Sequence, residues 1–202
     1  MAFFLVEGFR SSTNVSKYMG RLLVFALIAQ IPYTFAFGVY SLNIIFNILL
    51  GLIVLLIHDE LCVESRKPAG FVAMFLLILL LSEALVESGA FGVITIFMIY
   101  RIKGEKKRVI IPLLLLGTYE LLVLVIIQAA IPFGLLDVNA QLLEFALMQH
   151  YYVFSLGPFI VIPLLLSYNH QRGRRAKYLF YSFYPSHLFV LAGIAFALAS
   201  LS

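Results

Sequence analysis

The residues of this chain best suited to chemistry stand near its C-terminal end. The stretch RGRRAKYLFYSFYPSHLFVL, Arg172 to Leu191, sets four cations (Arg172, Arg174, Arg175, Lys177) directly before an aromatic run, Pro185 and His187. At about 1.5 Å per residue, His187 falls roughly 15 Å beyond Lys177, near the middle of a bilayer whose hydrocarbon core is about 30 Å thick. An ionisable ring is costly at that depth, so function is its default reading. The alternative is a neutral imidazole held by one hydrogen bond to a neighbouring helix, serving cohesion alone. Glu120, in LLLLGTYELLVLVII, is a second ionisable group at membrane depth, roughly 18 Å past Arg108. Its carboxyl is either protonated or paired. His187, at a similar depth, is a candidate partner, since a histidine and a carboxylate on facing helices serve proton relays and general bases.

The remaining polar groups have plainer readings. Asn43 and Asn47 stand four residues apart, on one helix face, and suit interhelical hydrogen bonds. Glu83 and Glu87 have the same spacing beside a short turn and read as a solvated acidic rim. His58, followed by Asp59 and Glu60, reads as a solvated helix end. No cluster of His, Asp or Glu has metal-ligand spacing, so no metal is expected. Neither a nucleophile elbow nor a dinucleotide loop occurs.

Composition dictates what must hold these groups. With 63% hydrophobic and 12% charged residues and a mean hydropathy of +1.05, the chain departs from a soluble domain, which carries about 25% charge. An all-α, polytopic transmembrane helix bundle in one domain, 1–202, follows, with the lipid bilayer as its first partner. The lone Cys62 excludes an internal disulfide and a multi-cysteine metal site. The net charge of +4 is accounted for by membrane orientation, and no nucleic-acid motif accompanies it.

The opening MAFFLVEGFR is too short for a span and reads as the tail of a helix. A polar connector, SSTNVSKYMGR, follows. About seven spans are then expected, at 22–37, 42–58, 69–86, 91–100, 109–131, 142–167 and 178–201. The fourth is short, Pro32 should kink the first, and Pro158 and Pro163 should break the sixth. All fourteen Lys and Arg fall in four blocks, Arg10 to Arg21, Arg66 with Lys67, Arg101 to Arg108, and Arg172 to Lys177. Seven spans put every block on one side. By the positive-inside rule that side is the cytoplasm of a multi-pass inner-membrane protein, with its C-terminus outside.

Four stretches resemble the TraX family of integral membrane acetyltransferases, whose founding member acetylates the N-terminus of conjugative pilin. FFLVEGFRSSTNVSKYMGRLLVFALIAQIPY is similar to the family's second helix, loop and third helix; LNIIFNILLGLIVL to its LNV-type helix; ESGAFGVITIFMIY to its DYGxYGVL segment; and YNHQRGRRAKYLFYSFYPSHLFVL to its YNGKRG…KYxFYxFYPxHL ending. On this resemblance Tyr184 and His187 match the YPxHL ending, Glu7 and Arg10 the EGFR pair, and Asn43 the LN position. Glu87 stands where the family has Asp. The family's first helix, with its Asp-His-Ile-Gly motif, has no counterpart ahead of Glu7.

The resemblance implies acetyl transfer from acetyl-CoA to the N-terminal amine of a pilin-like or other peptide acceptor. His187, Glu120 and Glu87 would be the catalytic set. Glu7, Arg10, Asn43, Arg174, Arg175, Lys177 and Tyr184 would bind substrate or the acyl donor. A neutral amine must attack a thioester, so a base of histidine's range is needed, and cations suit the CoA phosphates. A small proton-coupled transporter using Glu120 and His187, and an inert remnant of an acyltransferase, are the competing readings; an inverted internal repeat would favour transport, and none is visible.

Overall fold

A computed structural model describes residues 1–37, 40–86, 89–130, 155–168 and 177–199. Among them the chain is helical, in the order α1 (Ala2–Ser11), α2 (Val15–Phe37), α3 (Ile44–His58), a π-helical turn (Asp59–Glu64), α4 (Pro68–Leu85), α5 (Gly89–Arg101), α6 (Glu105–Ala130), α7 (Gly157–Leu166) and α8 (Lys177–Ala199). Four segments are long and apolar enough to cross a membrane: Val15–Phe37, Ile44–Glu64, Pro68–Leu85 and Glu105–Ile126. Gly89–Arg101, Gly157–Leu166 and Ser182–Ile194 are shorter apolar helices. The all-α membrane bundle expected from composition is the observed fold.

Several helix ends differ from the sequence expectation, each for a local reason. The connector ahead of Arg21 is mostly helix: the Asn14 side chain accepts from the Lys17 amide at 2.9 Å and starts α2 at Val15. Pro32 is carried inside α2, which continues to Phe37. Asn43 caps α3 by accepting from the Ile45 amide at 3.0 Å. Beyond His58 the chain winds on as a π-helical turn to Glu64, where an irregular loop was expected. Pro68 then starts α4 at its first turn, where a missing N–H costs nothing. In the sixth span Pro158 opens α7, but Pro163, expected to interrupt the same span, is carried inside that helix to Leu166; the part of the span before Ser155 lies outside the described residues.

The chain divides into two compact units, Met1–Tyr100 with Arg172–Ser202, and Arg101–Gln171. In the first, α8 lies along α2, α2 on α3, α3 on α4 and α1 on α3. Helix α5 packs on α3 through two glycines: the Ile96 side chain fills the space beside Gly51, and Asn47 that beside Gly92. Val54, Phe71, Ile78 and Val93, from α3, α4 and α5, form an apolar core. At one end of this core Leu42 donates its amide to the Leu85 carbonyl at 2.7 Å. In the second unit α6 and α7 pack together, with the Phe159 ring against Gly117.

Candidate functional site

His187 sits on α8, half-buried, one residue before the buried Leu188. Its Nδ1 lies 3.1 Å from the Phe183 carbonyl, one turn earlier. A carbonyl only accepts, so Nδ1 carries a proton, and when the ring is neutral Nε2 presents an unshared pair. Phe183 stacks on the imidazole at 5.3 Å and 22°, and Tyr184 meets it edge-on at 5.2 Å. The FYPSH sequence thus holds its own histidine in one tautomer and one orientation. Tyr184 contributes its ring to that arrangement.

The other residues singled out from sequence are placed as follows. Glu7 and Arg10 are on α1, three residues apart. Glu7 is half-buried; Arg10 donates to the Tyr100 carbonyl at 2.8 Å and lies 5.5 Å over the Tyr100 ring, closing the C-terminal end of α5. Asn43 is fully buried, and its bonds are made within the protein: Nδ2 donates to the Ala26 carbonyl at 2.8 Å and to Gln30 Oε1 at 2.9 Å, while Oδ1 accepts from Ile45. Those bonds support its structural role over substrate binding. Asn47 makes the interhelical bonds expected of it, to Ser82 Oγ at 3.1 Å and to the Gly89 carbonyl at 2.7 Å. Glu83 accepts from the Ala90 amide at 3.0 Å and so caps α5. Glu120 is half-buried on α6, in the second unit. Lys177 is the first residue of α8. Glu87, Arg174 and Arg175 lie outside the described residues.

Sequence reasoning did not assign two places that the structure picks out. A shallow, open groove of about 490 Å³ lies on one face of α2, lined by Lys17, Gly20, Arg21, Val24 and Phe25. Its wall is mostly apolar, with Lys17 and Arg21 one turn apart on the side toward the start of the helix and Val24 and Phe25 on the next turn. The i, i+3, i+4, i+7 spacing was legible in the sequence, but the polar connector expected there hid it.

The second place corrects the reading of His58. This residue is buried, at 9% exposure, where a solvated helix end was expected. Its Nδ1 is 3.1 Å from Asp59 Oδ1, and Tyr100 donates its hydroxyl to the same oxygen at 2.5 Å. Tyr100 stands 41 residues from Asp59, so only the α3–α5 contact reveals the group.

Against known proteins, the family model described as "TraX protein" matches residues 1–195. A "Probable fimbrial assembly protein FimC, serogroup H1" of Dichelobacter nodosus is 28% identical over 207 residues, covering 95% of this chain and 76% of that protein. No solved structure matches the chain. With the YPSHL histidine held on α8, the EGFR pair on α1 and the LN position capping α3, the match along nearly the whole chain means that this protein belongs to the TraX family.

Proposed function

We propose that the protein is a membrane acyltransferase that moves an acetyl group from acetyl-CoA to the N-terminal amine of a pilin-like peptide, with His187 as the base. Family membership and the fimbrial-assembly relative support the substrate class. The observation that carries the chemistry is the Nδ1 bond of His187 to the Phe183 carbonyl, which leaves Nε2 as a proton acceptor. The amine nitrogen attacks the thioester carbon, the N–C bond forms and the C–S bond breaks. Nε2 takes a proton from the nitrogen and passes it to the departing sulfur.

The donor carries phosphates at one end and an amide-linked chain at the other. The α2 groove matches that gradient, with Lys17 and Arg21 for phosphate oxygens and Val24 and Phe25 for the chain. Arg174, Arg175 and Lys177 keep the phosphate role that the family ending implies. Glu7, Glu87 and Glu120 keep their places in the proposed set on the resemblance.

The test is acetyl transfer by the full chain in bilayer discs, with acetyl-CoA and a synthetic pilin-type peptide, read by mass spectrometry. His187→Ala should insert and fold normally and lower kcat by about 10² to 10⁴, the range of general-base catalysis. Lys17→Ala with Arg21→Ala should instead raise the KM for acetyl-CoA, and more so at high salt. Transfer at the wild-type rate by His187→Ala removes that residue from the chemistry. No transfer by the wild type overturns the activity.

A further inference from the structure

Four elements of the first unit meet at the end of α3. Around the His58 imidazole stand Phe71 of α4 and Phe97 and Tyr100 of α5, all edge-on, with centroids at 5.2, 5.5 and 5.6 Å. Asp59 opens the π-helical turn and accepts from both His58 Nδ1 and Tyr100 Oη. Helix α1 sends Arg10 over the Tyr100 ring. Because a carboxylate accepts, Nδ1 carries a proton, and in the neutral ring Nε2 offers an unshared pair. The one hydrogen bond of this ring among the described residues is at Nδ1, and the side chain keeps 11% of its surface open. An imidazole oriented by a carboxylate, itself oriented by a hydroxyl, is the arrangement of a base, and a π-helical turn beside it is a common mark of a working site.

Acylation of an amine supplies work for such a group. An N-terminal ammonium titrates at about 8 and is mostly protonated at neutral pH. Its nitrogen must lose two protons to become an amide, and only one of them ends on the sulfur of CoA. The other has to be removed before attack. We propose that His58 Nε2 removes it, with Asp59 and Tyr100 as positioning residues; this rests on the acyltransferase reading above. The first step is R–NH3⁺ plus neutral His58 giving R–NH2 and His58-H⁺. In the second, R–NH2 and CH3CO–S–CoA give R–NH–COCH3 and HS–CoA, and the proton on His58 passes to water at the turn where Glu60 and Glu64 are exposed.

Aromatic rings and a carboxylate about one imidazole also attract a primary ammonium. The charged and titratable groups about the ring are Asp59 and Tyr100 in contact and Arg10 over the tyrosine; α4 contributes the uncharged Phe71. The two histidines then divide the two proton steps. Both belong to the first unit.

The distinguishing property is rescue by pH. His58→Gln should lower kcat/KM for the peptide by about 10² near pH 6.5 and recover to nearly the wild-type rate by about pH 9, where the amine is already neutral. His187→Gln should stay slow throughout. A weakly basic acceptor amine, neutral at pH 7, should be acetylated by His58→Gln at the wild-type rate. Tyr100→Phe, which keeps the ring, should show the same rescue with a smaller loss, about tenfold, and carries the test alone if His58→Gln does not fold. A wild-type pH profile in His58→Gln, or an equal loss at every pH, overturns the role of His58 while leaving the acyltransferase reading standing. No transfer by the wild type at any pH overturns both.

Discussion

Asn43 shows how a residue that looks like a ligand-binding group is used up by its own fold. Its side chain makes two bonds that tie the start of α3 to α2 and a third that caps α3 at Ile45, and its backbone amide donates a fourth to Gln30 Oε1 at 3.0 Å. Asn43→Ala should therefore destabilise the detergent-solubilised protein by about 2 to 4 kcal/mol, combining a lost helix cap with buried acceptors left unpaired. Asn43→Asp keeps an acceptor for Ile45 but sets a carboxylate against two oxygens, and should be no better. Chemical unfolding followed by circular dichroism measures both. A stable Asn43→Ala protein that fails to transfer acetyl groups would move the residue to the substrate site.

At the scale of elements, the α3–α5 contact is exposed to single changes. Gly51 and Gly92 let the two helices approach until Ile96 and Asn47 occupy the space of a Cβ. Gly92→Ala should displace Asn47 from Ser82 and from the Gly89 carbonyl, costing about 1 to 3 kcal/mol as an overpacked core does. Gly193→Ala is its control, because a Cβ there meets nothing within 4 Å; it should be neutral or stabilising by up to about 1 kcal/mol. Thermal unfolding of the two variants side by side checks the pair. Equal midpoints would mean that α5 is not seated on α3 as described.

At the scale of the whole molecule, the placement of fourteen Lys and Arg in four blocks predicts a single orientation. In a chain whose Cys62 has been replaced by Ser, cysteines introduced at Lys103 and at Gly173 should be shielded from an impermeant thiol reagent in intact cells and labelled after lysis. Labelling of either from outside would overturn that orientation.

Sequence alone determined that this is a helical membrane protein and where its cations lie. These properties depend on composition and on hydrophobicity within a few residues, whereas the cap at Asn43 and the start at Pro68 were found only in the structure. The family resemblance, carried by short motifs, was legible for the same reason. Which face of each helix turns inward was not legible, because a membrane helix is apolar on every side and periodicity no longer points to a core. Glycines and polar side chains mark the inward face, and their partners are distant. Asp59 finds Tyr100 across 41 positions, and Asn47 finds Gly89 across 42. His58, solvated by every local sign, is buried because three aromatic rings from α4 and α5 close around it. Only the tertiary structure could decide that, since no one of those rings lies within the helix that carries the histidine.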